Sequence, residues 1–147
     1  ALAKIADPAD GGFYHRMGDV GYLDEFGRLW FCGRKAHRVV TSRQTLFSIP
    51  CEGVFNVHPR VYRTALVGVA RQGDIEPVLC VELEPGTDMD QRPAIIRELR
   101  ELGARHAHTR DIALFLFHPG FPVDVRHNAK IFREKLAVWA AQQPPQG

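Results

Sequence analysis

Arg16-Met-Gly-Asp19-Val-Gly-Tyr-Leu-Asp24-Glu-Phe-Gly27-Arg-Leu-Trp30-Phe-Cys-Gly33-Arg34 decides how this 147-residue chain is read. Two short apolar runs, Gly21–Leu23 and Leu29–Cys32, flank the turn-forming Asp24-Glu-Phe-Gly27, so the stretch predicts a β-hairpin. Gly33-Arg34-Lys35-Ala36 follows as a glycine-led polar joint. Upstream, Asp7-Pro8-Ala-Asp10-Gly11-Gly12 has the turn chemistry of a loop. Downstream, Arg38–Thr41 and Thr45–Ser48 predict a second strand pair around Ser42-Arg43-Gln44. Pro50 suits the first turn of a short helix running to about Val57, because its fixed φ fits that position. His58-Pro59 ends it.

The remainder reads as a layered core. Thr64–Ala70 and Pro77–Leu83 are strongly apolar, and Arg71-Gln-Gly-Asp74 turns between them, predicting an antiparallel pair. A helix from about Asp90 to Arg105 carries Ile95, Ile96, Leu99 and Leu102 on one stripe, with charges opposite. Ile112–Phe117 is a third core strand. The last helix is expected to start near Lys130, with Ile131, Leu136 and Trp139 on its packing side, and Pro144-Pro145 ends the ordered chain. From residue 36 onward this is an α+β pattern: a small three-stranded sheet covered by helices, plus a two-stranded ribbon.

Length fits one domain, or a small domain carrying a piece of another, and such a chain can bury a core without disulfides. The formal charge of +2 is too small to argue for nucleic acid. Arg92, Arg97, Arg100 and Arg105 read as one solvated helix face. Cys32, Cys51 and Cys80 are odd in number and lack Cys-x-x-Cys spacing, so they are expected to be free thiols of a reducing, cytoplasmic compartment. No run is long enough for a transmembrane segment, and no basic-then-apolar leader opens the chain. The start, Ala-Leu-Ala-Lys, reads as the interior of a longer protein. His106-x-His108 has no third ligand at a suitable spacing, so no metal site is expected.

A Gly-Asp turn and a lone lysine are each ordinary features. In order, however, Gly18-Asp19, the hairpin, Gly33-Arg34 and the late lysine of Phe121-Pro-Val-Asp-Val-Arg-His-Asn-Ala-Lys130-Ile-Phe-Arg resemble the C-terminal end of adenylate-forming enzymes. That family includes acyl-CoA synthetases, luciferases and the adenylation domains of peptide synthetases. The resemblance implies that residues 1–35 are the tail of an N-terminal adenylation domain and that 36–147 form a C-terminal mobile cap. It implies nucleotide contacts for Asp19, whose carboxylate accepts both ribose hydroxyls, and for Arg34. Met17 replaces the threonine usual before that Gly-Asp.

Lys35 and Ala36 take the hinge position. Ala36 stands where most members carry Asp or Lys, and His37 follows. Hinge action needs only permissive torsions. Lys130 is implied as the catalytic lysine, its ammonium offsetting the charge that builds on phosphorus. Thioester-forming members have Lys-x-x-Gly beyond the hinge, where this chain has Val40-Thr41-Ser42-Arg43. An arginine there disfavours capture of the adenylate by CoA.

Gly33-Arg-Lys-Ala-His-Arg-Val-Val-Thr41 and the Pro122–Leu136 ending resemble the β-lactone synthetases of bacterial long-chain olefin biosynthesis. The implied reaction activates a long-chain 2-alkyl-3-hydroxy acid with ATP, after which the substrate's own hydroxyl displaces AMP. Tethering supplies the effective concentration that a thiol channel would otherwise provide. ATP and Mg²⁺ would be held mainly by the N-terminal domain, so these residues alone are expected to be inactive. Implied partners are that domain, the small acyl substrate and other enzymes of the olefin route, with no nucleic acid. The competing readings are the cap of a fatty or aryl acyl-CoA ligase, a non-catalytic interaction module and, more remotely, a nucleic-acid-binding α+β domain.

Overall fold

The computed structural model describes residues 4–6, 13–15 and 18–144. In chain order it contains β1 (Lys4–Ala6), β2 (Phe13–His15), β3 (Asp19–Leu23), β4 (Leu29–Arg34), β5 (Val39–Val40), β6 (Thr45–Leu46) and α1 (Ser48–Phe55). Then follow β7 (Val61–Arg71), β8 (Asp74–Leu83), α2 (Arg92–Ala104), β9 (Leu114–Phe117), β10 (Val123–Asp124), β11 (His127–Ile131) and α3 (Arg133–Ala141). β1 pairs with β2, a ribbon the sequence did not announce. The loop expected at Asp7–Gly12 lies outside the described residues, as does Pro145.

The core is the sheet β7-β8-β9. β7 and β8 pair antiparallel through the expected turn, where Gln72 and Gly73 both adopt positive φ, and β9 joins β8 in parallel. Alternate side chains serve two separate clusters. Leu66, Leu79, Val81 and Phe115 face α1 and α2, meeting Cys51, Phe55, Ile95 and Leu99. Ala65, Val67, Val78, Cys80, Leu114 and Leu116 face the other way, onto Leu136 and Ala140 of α3 and onto Phe121. A sheet buried on both faces needs no polar alternation, which is why these strands read as unbroken apolar runs. Each large side chain buried this way contributes about 1.5–3 kcal/mol.

The helices follow the predicted pattern with trimmed ends. On α2, Ile95, Leu99 and Gly103 form the buried stripe, and Gly103 lets the Phe55 ring approach closely. The Phe55 and Phe115 rings meet edge to face at 5.6 Å between centroids. Cys51 and Cys80 are buried free thiols, and burial pushes each up to about 12.

The last helix departs from expectation. It starts at Arg133, whereas Lys130 lies on β11 of a small β10–β11 ribbon in which Val123 pairs with Ile131 and Asp124 with His127. The Asp124 carboxylate accepts from the Arg126 amide and closes the turn, and the Phe132 amide bonds to the Pro122 carbonyl. That closed loop spends five residues on a strand before a helix can begin. Ile131 packs on the α3 side of the sheet from the ribbon.

Candidate functional site: the joint and the lysine ribbon

Asp24 organises the β3–β4 hairpin. Its carboxylate accepts the amides of Phe26 and Arg28 at 2.9 Å each, the Arg28 Nε at 2.7 Å and the Trp30 Nε1 at 2.9 Å. These bonds, that from Trp30 first, hold the carboxyl below its ordinary range. At the far end of the hairpin, Val20 pairs with Gly33 but Gly21 pairs with Phe31, leaving Cys32 as an extra, inward-turned residue. The bulge strengthens the local twist. Gly33 sits at φ +116° with its α-carbon against the Ser48 hydroxyl and Ile49, so any side chain there would strike α1.

This geometry presents two predicted site residues as a pair. Asp19 and Arg34 face each other across the ladder, with Arg34 Nε 3.6 Å from the Asp19 carboxylate and both side chains open to solvent. The Lys35 amide bonds to the Gly18 carbonyl at 2.7 Å, closing the mouth of the hairpin. Lys35, Ala36 and His37 then form one 3₁₀ turn. Lys35 and Ala36 are exposed and His37 is half-buried. Immediately afterwards β5 lies against β7, where Gly68 makes room for Val39.

Lys130 is exposed on β11, and no ion pair to it is found among the described residues. Three residues on, Arg133 is mostly buried and donates from a terminal nitrogen to Glu52 at 2.7 Å. The other Glu52 oxygen accepts the Leu66 amide at 3.0 Å on the open edge of β7. Burial pushes the Glu52 carboxyl up, against the opposing pull of the Arg133 charge and of the Leu66 amide. This pair ties the start of α3 to α1 across the sheet edge.

His37 feels the charges of both the joint and the lysine ribbon. Burial lowers its pKa first, and the positive charges of Arg133, Arg34 and Lys130 lower it further against Glu134. The charges of Arg34 and Lys130, far apart in sequence, thus both act on one imidazole. Sequence reasoning noted His37 only as the neighbour of Ala36 and missed the Glu52–Arg133 pair. The signal available for that pair was an arginine three residues after the lysine.

The loop Val40–Arg43 is folded down rather than splayed. The Ser42 amide and hydroxyl both bond to the Asp74 carboxylate, at 3.0 and 2.5 Å. The Thr41 hydroxyl oxygen accepts the Arg43 and Gln44 amides. Arg43 lines an open groove of about 850 Å³ with Arg71, Asp74, Glu76 and Asp111. His108 bonds to the Pro50 carbonyl. No three His, Cys, Asp or Glu side chains gather as a metal cage among the described residues.

The chain is 58% identical over 144 residues to an olefin β-lactone synthetase of Xanthomonas campestris, a match covering 96% of the chain and 26% of that relative. It is 53% identical over 146 residues to one of Stenotrophomonas maltophilia, covering 97% and 26% respectively. The chain belongs to the adenylate-forming enzyme family. An anthranilate CoA ligase solved with anthranoyl-AMP shares the fold, with a TM-score of 0.75 and 23% identity over 89% of this chain and 25% of the ligase. No protein-family model matches the chain. It corresponds to the C-terminal part of its adenylate-forming relatives and spans about a quarter of their length. No helix among the described residues is long and apolar enough to cross a membrane.

Proposed function

We propose that this chain is the C-terminal cap of an ATP-dependent enzyme that activates a long-chain 2-alkyl-3-hydroxy acid as its acyl adenylate and closes it to a β-lactone, releasing pyrophosphate and AMP. The observation that carries the reading is the 58% identity to an olefin β-lactone synthetase along almost the whole chain. The boundary between the N-terminal domain's tail and the cap falls at residues 35 and 36, within the 3₁₀ turn. Lys35 and Ala36, both exposed, are the hinge.

Asp19 and Arg34 fit a nucleotide: a carboxylate can accept two ribose hydroxyls, and a guanidinium beside it offers directed donors to ribose or phosphate. Lys130 supplies the cation that offsets charge building on the α-phosphorus during adenylation. Mg²⁺ accompanying ATP would be bound mainly by the N-terminal domain. The N-terminal domain is the obligate partner, and other enzymes of the same route are further ones. Three free buried thiols favour a cytoplasmic setting.

The folded-down loop supports an internal nucleophile. Ser42 pinned on Asp74 sets Arg43 where a thioester-forming relative has glycine, so the loop gives a pantetheine arm no bare backbone to lie against. The test is the full-length protein with ATP and a 2-alkyl-3-hydroxy acid, with and without CoA. The reading expects lactone and AMP in equal amounts without CoA. Acyl-CoA as the product, formed only when CoA is added, overturns it in favour of a CoA ligase.

A further inference from the structure

We infer that His37 is the general base of ring closure, taking the proton of the substrate's 3-hydroxyl as that oxygen attacks the acyl-adenylate carbonyl. The inference rests on the lactone-forming reading above. Its starting point is chemical. A thiol is partly ionised near neutral pH and attacks an adenylate unaided, whereas an alcohol is not and must lose its proton as it attacks. An enzyme that replaces the thiol with a hydroxyl therefore needs a basic group that its thioester-forming relatives do without.

Of the other histidines whose side chains are described, His58, His108 and His118 have hydrogen-bonded rings, whereas His106 and His127 do not. His58 is buried between Glu98 and the Arg60 amide. His108 is bonded to the Pro50 carbonyl. His118 is packed on Trp139 and accepts the Gly120 amide. His106 stacks near His108 beyond the end of α2, and His127 stands beside Asp124 on the ribbon. His37 is different in place. It sits in the joint three residues after Arg34, and no hydrogen bond to either ring nitrogen is found among the described residues. It lines a groove of about 500 Å³ whose floor includes Val67, Gly68, Ile75 and Ala137 and whose rim includes Arg133 and Glu134.

The charges facing it explain how it would work. Arg133 and Glu134, at the start of α3, line the same groove, Arg34 precedes the ring by three residues, and the charges of Arg133, Arg34 and Lys130 all oppose its protonation. Arg34 is partly offset by Asp19, and Arg133 by Glu52. Burial and the surplus of positive charge keep the imidazole neutral near pH 7, with a lone pair to offer. Arg34 and Lys130, whose charges act on this ring, are the cations that the proposed function puts on the nucleotide, and the inference puts the adenylate within reach of the same ring.

In the step, the hydroxyl O–H breaks and its proton goes to the imidazole. The oxygen forms the new bond to the acyl carbon. The bond from that carbon to the phosphate oxygen breaks, and AMP leaves with the electron pair. The imidazolium then gives its proton to water. Acyl adenylate becomes β-lactone, AMP and one proton.

The test uses the full-length enzyme and its His37→Gln variant in single turnovers with ATP and a 2-alkyl-3-hydroxy acid. Pyrophosphate release should be unchanged, while lactone formation falls about 10²-fold, the low end for loss of a general base, and acyl adenylate accumulates. The wild-type ring-closure rate should fall below a pKa under 6.5, and the variant should lose that ionisation. Added imidazole should restore part of the rate. Wild-type lactone formation with an unimpaired His37→Gln variant overturns this inference alone. So does an equal loss in both half-reactions with unchanged thermal midpoint, which would make His37 a part of the joint only. A wild-type enzyme that forms adenylate but no lactone overturns the reading beneath it as well.

Discussion

The three-stranded sheet and the β3–β4 hairpin are both apolar in sequence, yet they use their apolar residues in opposite ways. In the sheet, Val78, Leu79, Cys80 and Val81 are all wholly buried between helices on both faces. In the hairpin, Tyr22, Leu23, Phe26, Leu29, Trp30 and Phe31 are about half or more exposed. An apolar cluster of this size left open on a hairpin is a surface meant to be covered, and the chain spans only 26% of the length of its relatives. The sheet stabilises the cap from within. The hairpin, which we propose belongs to a larger body, ends in the pair Asp19 and Arg34. Core and hairpin are thus separate regions that touch where Gly33 meets α1.

That separation is open to direct attack. The largest expected effect is at the tie between the two faces of the sheet. Glu52→Ala leaves Arg133 buried without a counter-ion and the Leu66 amide without an acceptor. Urea unfolding should report a loss of about 3–5 kcal/mol. A loss under about 1 kcal/mol would mean the cap does not depend on this pair. Next come matched truncations in the two regions. Leu99→Ala should destabilise the chain by about 2–5 kcal/mol, whereas Leu29→Ala should stay within about 0.5 kcal/mol. Equal losses would erase the distinction between core and hairpin.

The smallest effect concerns acid. Hydrogen bonds hold the Asp24 and Asp74 carboxyls below their ordinary value of 3.8, from Trp30 first in one case and Ser42 first in the other. A depressed folded pKa lends stability that is fully present above the unfolded value and is lost as pH falls through the folded one. Asp24→Asn and Asp74→Asn should each flatten the acid limb of the stability curve below pH 3.8 and leave the limb near pH 7 with the same slope. An acid limb identical to that of the parent chain would contradict the assignment.

Much of the fold was legible because it rests on local signals. The helix stripe of Ile95 and Leu99, the turn at Gln72-Gly73 and the hairpin around Asp24 each follow from spacing and turn chemistry. The β10–β11 ribbon was not. Arg126-His-Asn-Ala-Lys130 carries no alternation of apolar residues, and its register is set by partners such as Val123 and by the Asp124 turn. Counting Ile131 with Leu136 and Trp139 then pulled the helix start back onto Lys130. The parallel pairing of β9 was equally hidden, since strands buried on both faces carry no mark of direction.

The site divides the same way. Asp19 and Arg34 were readable as a pair because a hairpin brings its two ends together. The grouping of His37 with Arg133 and Glu134 depends on how α3 packs on the sheet, which no short stretch encodes. The Glu52–Arg133 pair joins residues whose neighbours look like ordinary helix termini, so burial alone reveals it.

The most direct test of the account is pyrophosphate release by the full-length enzyme carrying Lys130→Ala, measured in a single turnover beside a thermal melt of the same sample. An exposed lysine on a ribbon outside the core should cost adenylation about 10²–10³-fold, as for loss of one key transition-state donor, with the melting midpoint unmoved. Pyrophosphate released at the wild-type rate would contradict it.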